Sequence, residues 1–317
     1  MLVEFDSMKI PNQTNGHEPE FQVEGEIIES SHNHRGRISR EKDIVAHKYF
    51  SLARKGKQWK IRATSLKSDA IEYEETGCDG TVIYELRQMN EEICRQEQGE
   101  LPAGCLTAHG SIRHGNFPTG LNSGPFFPLW LAFCSSDYFV SRKDGRIVSP
   151  EFSEGDNRSR MVKPAQWQLN GSSLPSKVEW YLGGKDRGYP PPFDGVFLNN
   201  CFEVVSWNEF SGLQLPGRFE LKIFFPNHLL ATPDPTQGEL CLLGVTEANV
   251  KSIQPLSGFS CLPELTRKTL VIDGRFRCSS SCDGLLSYGS SSWMTEEEVE
   301  AKNRQHGVKC EKQTAQA

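Results

Sequence analysis

Apolar and polar residues alternate with a period of two through much of the chain, the pattern of strands wetted on one side. Phe21, Val23 and Ile27 alternate with Gln22, Glu24 and Glu26, and predict a first strand. Trp59, Ile61 and Ala63 alternate with Gln58, Lys60, Arg62 and Thr64; with residues 45–54 and the turn Lys55-Gly56-Lys57 before them they predict a hairpin. A second hairpin is predicted from 70–76 and 81–89 around Gly77-Cys78-Asp79-Gly80, with Ile71, Tyr73, Val82, Tyr84 and Leu86 facing inward. A third comes from 201–209 and 215–225, where Phe219, Leu221, Ile223 and Phe225 point inward and Val205 and Trp207 supply bulk opposite. Residues 239–245 and 268–278 are the last strand candidates, whereas 30–43, carrying His32, His34, Arg35, Arg37, Arg40 and Lys42, lack alternation and read as a solvated loop.

One stretch departs from this period. Phe126, Phe127, Pro128, Leu129, Trp130, Leu131, Ala132, Phe133 and Cys134 place bulky apolar groups on every side of a helical axis, and Pro128 suits a first helical turn. A helix apolar all round must be surrounded, so a buried helix near residues 128–135 is expected against the strands. Thr295 and Glu298 stand at capping-box spacing and predict a short helix starting at Thr295. The expected organisation is a flexible lead-in over 1–20, a single curved-sheet domain over 21–303 and a polar tail over 304–317. The fold class is mainly β (α+β): a curved antiparallel β-barrel, closed or half-open, with a buried helix and a short C-terminal one.

Composition adjusts this picture in a few places. A chain of 317 residues can bury a large core, and 28 glycines with 18 prolines fit a turn-rich β architecture. The five Asp-Gly dipeptides, at Asp79, Asp144, Asp194, Asp273 and Asp283, are read first as turns. A net charge of −6 opposes non-specific adhesion to nucleic acid, so no nucleic-acid partner is expected. The apolar run is far short of the roughly 20 residues a membrane-spanning helix needs. Met1-Leu2-Val3-Glu4-Phe5-Asp6 has neither the basic start nor the apolar stretch of an export signal. The expected location is the periplasm or cell envelope if a signal is missing from the start, and otherwise the cytoplasm. Ten cysteines include no CxxC pair; Cys278 and Cys282 allow a loop-closing disulfide, half a metal site or two thiols.

The chain lacks a nucleophile-elbow Gly-x-Ser-x-Gly and the Gly-rich phosphate loops. His109 and His114, with Cys105 or Asp137, are the residues a hydrolase would use, and they would have to converge. No cofactor or metal is called for. The aromatic residues carry the stronger signal. Either they fill a core, or sheet and helix leave an apolar cavity of the kind that holds a greasy ligand. In the second case Trp59, Tyr84, Phe126, Phe127, Trp130, Phe133, Tyr138 and Trp207 are the candidate lining.

Trp59-Lys60-Ile61-Arg62, Asp79-Gly80-Thr81-Val82-Ile83-Tyr84, Pro128-Leu129-Trp130-Leu131-Ala132-Phe133 and Asp273-Gly274-Arg275-Phe276, in this order between Phe21 and Cys278, resemble the layout of periplasmic lipoprotein carriers of the Lol type. The same layout resembles large uncharacterised bacterial proteins. The resemblance implies an incomplete antiparallel barrel wrapped on helices, with an apolar interior that holds acyl chains. The expected function is therefore a non-enzymatic carrier or sensor of a lipid-like ligand in the bacterial cell envelope, with a lipid or acyl chain as partner. The alternatives are a solid-core structural or interaction module that binds protein or glycan through its loops, and an unrecognised hydrolase.

Overall fold

The computed structural model describes residues 20–34, 37–66, 71–92, 107–115, 118, 125–135, 162–169, 174–183, 191, 195–229, 238–278, 285–306 and 310–313. The alternating runs form strands β1 (Glu20–His34), β2 (Arg37–Lys55), β3 (Gln58–Ser65), β4 (Ile71–Cys78), β5 (Val82–Met89) and β6 (Ala108–His114). The apolar stretch forms helix α1 (Phe126–Phe133). Then come β7 (Val162–Leu169), β8 (Pro175–Gly183), β9 (Val196–Phe210), β10 (Leu213–Pro226), β11 (Leu240–Gln254), β12 (Thr269–Cys278) and β13 (Leu285–Ser290). Helix α2 (Glu296–His306) and strand β14 (Cys310–Lys312) end the described chain. The polar tail expected from residue 304 thus includes the end of a helix and a short strand.

All the strands join one sheet in the order β13-β12-β6-β5-β4-β3-β2-β1-β11-β10-β9-β8-β7, with β14 on β12. The path has two ends, so among the described residues the sheet stays open. Two meanders, β1 to β6 and β7 to β11, are joined side by side through the antiparallel pair β1–β11. One pairing departs from the antiparallel rule: β12 runs parallel to β6. To reach it, residues 255–268 cross back over the sheet as a strap on the face away from α1. Gly77 on β4 marks the crossing, for a Cβ there would lie 1.7 Å from the carbonyl oxygen of Cys261.

Curvature follows from what α1 touches. One contiguous apolar core holds α1 together with Ile83, Cys78, Trp59, Leu52, Phe21, Ala248, Phe219, Phe202 and Val178, that is, β5 across to β8. Laid flat, those nine strands would span about 38 Å at about 4.8 Å per spacing. An eight-residue helix is only about 12 Å long. Every residue of α1 is nonetheless buried, so the sheet bends around it. This is the curved, half-open antiparallel sheet with a buried helix that the sequence predicts.

A second, smaller core lies at the far edge, where Phe276, Leu286 and Val299 pack with Tyr288, Met294 and Cys310 beneath α2. The capping box at the start of α2 closes in both directions: Thr295 N–H donates to Glu298 at 2.8 Å, and Glu298 N–H to the Thr295 hydroxyl at 3.3 Å.

Several expectations need correction. Residues 30–43 are not a loop, since Asn33 pairs with Ile38 and His34 with Arg37; a polar hairpin arm requires backbone pairing but no apolar alternation. Tyr73, Val82, Tyr84 and Leu86 face away from α1. Their cross-strand partners Thr64, His114, Ile112 and Gly110 lie on that side, while Ile83 opposite Cys78 joins the core. Both faces of β4 and β5 are covered, one by α1 and one by the strap with Trp293, so period two does not reveal which face is inner. Val205 is 51% exposed, and it is Phe202 and Val204 that reach the core; the β9–β10 pairing slips near Gly217, which misleads a count back from the turn. Asp273-Gly274 lies inside β12 rather than in a turn. The side chains of His32 and His34, and the Asp-Gly pairs at Asp144 and Asp283, fall outside the described residues.

Candidate functional site

The concave face of the sheet and the helix in it form the candidate site. Helix α1 has no side-chain cap at Pro125, no acid in its first turn and no base in its last. Apolar contact therefore fixes its position. Phe133 lies edge-on between Phe21 on β1 (6.3 Å) and Phe219 on β10 (5.9 Å). Phe127 stacks on Trp130 at 6.2 Å and tilts against Trp180 of β8 at 6.0 Å. The few polar contacts gather at the C-terminal end, where helix carbonyls lack intrahelical partners. Arg54 of β2 donates to the Phe133 carbonyl at 2.6 Å, and the Ser135 hydroxyl donates to that of Leu131 at 2.6 Å. The indole N–H of Trp180, fully buried beside Phe127, has no hydrogen-bond partner among the described residues.

Farther along the same face the lining turns charged. Glu74 stands opposite Ala63 of the core and accepts from Lys48 at 3.0 Å and from Arg87 at 2.7 Å. Glu29 lies two residues beyond Ile27; burial raises its carboxyl above the usual range, and Lys48 partly offsets that. Glu85 accepts from the Ser111 hydroxyl at 2.8 Å and from Arg113 at 3.3 Å. The concave surface is thus amphipathic, an aromatic basin around α1 with a row of paired charges beside it. Burial pushes the thiols of Cys78 and Cys134 up to about 12, so they remain protonated and unreactive near neutrality.

Five of the eight candidate lining residues come together in this core: Trp59, Phe126, Phe127, Trp130 and Phe133. Tyr84 is on the opposite face, edge-on to Trp293 at 5.4 Å. Trp207 is half-buried and lies outside the core around α1. Tyr138 lies outside the described residues. Trp180 and Arg54 were not singled out from sequence. Trp180 carries a readable signal, since it and Val178 alternate with the polar Lys177 and Glu179 along β8, whereas Arg54 beside Lys55 looks like one more basic residue at a strand end. The hydrolase set is not assembled: His109 pairs with Arg87 on one face and His114 with Val82 on the other. Five residues of strand, about 16 Å, also separate them. Cys105 and Asp137 lie outside the described residues. Among the described residues no helix is long and apolar enough to cross a membrane.

No protein-family model matches the chain, and no curated protein matches it. Among solved structures it is similar to a LolA superfamily protein from Nitrosomonas europaea, at 11% identity and a TM-score of 0.34, over 76% of this chain and 87% of that one. It is also similar to a DUF1329 family protein from Desulfovibrio piger, at 9% identity and a TM-score of 0.32, over 75% of this chain and 87% of that one.

Proposed function

We propose that this protein is a non-enzymatic carrier or sensor of a lipid-like ligand in the bacterial cell envelope, and that α1 fills the ligand's place in the state described. The observation that carries the reading is the amphipathic concave face: an apolar basin holding a short uncapped helix, bordered by the paired charges of Lys48, Glu74 and Arg87. Such a surface matches an acyl chain with a polar head. An eight-residue helix with its side chains occupies about 900 Å³, taking a cylinder about 10 Å wide. That volume falls within the range of about 300–1,000 Å³ typical of ligand pockets. Six large apolar side chains of α1 are buried, each worth about 1.5–3 kcal/mol. The helix therefore leaves only when an equally apolar guest replaces it.

The same burial favours the second reading, a solid-core module that binds through its loops. Native mass spectrometry of detergent-free protein and titration with a fluorescent fatty-acid analogue separate the two. The carrier reading expects copurified lipid or saturable binding, tightened by Trp130→Glu, which loosens the helix that competes with the guest, and altered in the better-tolerated Trp180→Phe, which removes only an N–H without a partner among the described residues and a little volume from the basin wall. A folded chain that neither carries lipid nor binds the analogue overturns it.

A further inference from the structure

Strand β14 is only three residues long, and its first residue, Cys310, stands directly opposite Cys278, the last residue of β12. The register fixes the geometry of this pair. Gln313 N–H donates to the Arg275 carbonyl at 2.7 Å, so 275 and 313 are a hydrogen-bonded pair. Alternation along an antiparallel ladder then makes 276/312 non-hydrogen-bonded, 277/311 hydrogen-bonded and 278/310 non-hydrogen-bonded. Non-hydrogen-bonded partners have Cα atoms about 4.5 Å apart with side chains on one face. Disulfides need Cα atoms about 4.4–6.8 Å apart. Both residues are thiols here, Cys278 buried and Cys310 half-buried.

We infer that Cys278 and Cys310 form a cross-strand disulfide site, closed by exchange with a small-molecule or protein disulfide, which staples the C-terminal strand over the second core. In the first step the Cys310 thiolate attacks one sulfur of the oxidant RSSR; a mixed disulfide forms and one RS⁻ leaves, taking up a proton as RSH. In the second, Cys278, having lost its proton, attacks the Cys310 sulfur, the protein disulfide forms and the second RSH leaves. Two protein thiols are oxidised and one oxidant disulfide is reduced. Burial and the hydrogen bond to Cys278 push the Cys310 thiol up to about 11, so uncatalysed closure is slow at neutral pH. The bond would tie down what a three-residue strand and the Lys312–Glu296 ion pair otherwise hold. It would also close a loop that contains β13 and α2.

The test uses the full chain equilibrated in glutathione buffers from reducing to oxidising, alkylated and digested without reductant. Because Cys282 is close in sequence, the native chain and Cys282→Ser are run in parallel. The expected result in both is the Cys310 peptide joined to Cys278, with the oxidised form favouring the folded state by about 10²- to 10³-fold over the reduced form, as a loop of this length implies. This gain is absent in Cys310→Ser. Cys310 recovered as an alkylated thiol in fully oxidising buffer, or joined to any cysteine other than Cys278, overturns the inference.

Discussion

The guanidinium of Arg54 donates to the backbone oxygen of Phe133 at 2.6 Å, tying strand β2 to the end of a helix 79 residues further along the chain. A second donation, from Arg54 Nε to the Gly56 carbonyl at 2.9 Å, holds the side chain in place. A cation at a helix C-terminus also suits the partial negative charge there. Arg54→Met keeps the apolar stem and removes the donors, leaving a buried carbonyl exposed to no partner of this kind. The expected cost is about 1–3 kcal/mol. Urea denaturation followed by tryptophan fluorescence checks it, and an unchanged midpoint would show that α1 does not need this tether.

Gly77 tests the strap. A methyl group there would sit 1.7 Å from the Cys261 carbonyl oxygen and 2.9 Å from its carbon, and main-chain atoms cannot swing aside as a side-chain tip can. The strap also holds the sheet by hydrogen bonds, from Glu264 N–H to Glu75 at 3.3 Å and from the Thr266 hydroxyl to Gln88 at 3.0 Å. Gly77→Ala must lift it. The expected loss is at the upper end of the about 1–3 kcal/mol typical of overpacking. Gly238→Ala, whose added methyl meets nothing within 4 Å, is the control and should stay within about 0.5 kcal/mol of the parent.

The strap also explains how far sequence could be read. The helix at Phe126–Phe133, the α2 cap at Thr295 and the inward faces of β1, β3 and β10 were legible, because an apolar residue in a one-sided strand or an all-round apolar helix has a single consistent place. Tyr84 was not. It sits in a strand covered on both faces, and its burial against Trp293 depends on a connection that returns from beyond β11. The parallel pairing of β12 with β6 has no local signature, since it is set by which edge remains available once β11 has paired with β1. Arg54 was missed for a related reason: its partner is a helix carbonyl, and every residue has one.

Asp273 and Arg275 form the most deeply buried ion pair described, with side chains 0% and 4% exposed and contacts of 2.9 and 2.7 Å. The Tyr288 hydroxyl adds a donation to Asp273 at 3.1 Å, and Arg275 continues to the Met294 carbonyl at 2.9 Å. Asp273→Ala strands the guanidinium and should cost about 3–5 kcal/mol. Replacing both residues, Asp273→Leu with Arg275→Met, removes the stranded charge and should recover part of that loss. A double-mutant cycle by chemical denaturation measures the coupling; equal, additive losses would mean that the pair does not act as a unit.

Glu29 gives the protein a pH dependence of definite sign. On the concave face it meets Lys48 and Glu74, with Ala46 and Thr246 as its neighbours on β2 and β11. Burial is the largest influence and raises its carboxyl above 4.5, Lys48 lowers it and Glu74 raises it further. The folded chain thus holds this proton more tightly than the unfolded chain. Below the unfolded value both states are protonated and there is no penalty. As pH rises through the folded value the buried carboxylate forms, and the stability that protonation supplied is lost. Glu29→Gln cannot ionise, so the stability difference between it and the parent should widen in its favour as pH rises from about 4.5 toward neutrality. Burial raises Glu75 in the same direction, but that residue is common to both chains and cancels in the difference. Urea midpoints of the two chains between pH 4 and pH 8, set by the usual carboxylate range of about 4.3 and its shift upward, decide the matter. A difference that stays constant, or that narrows with rising pH, would place the Glu29 carboxyl in a better-solvated setting than the concave face offers.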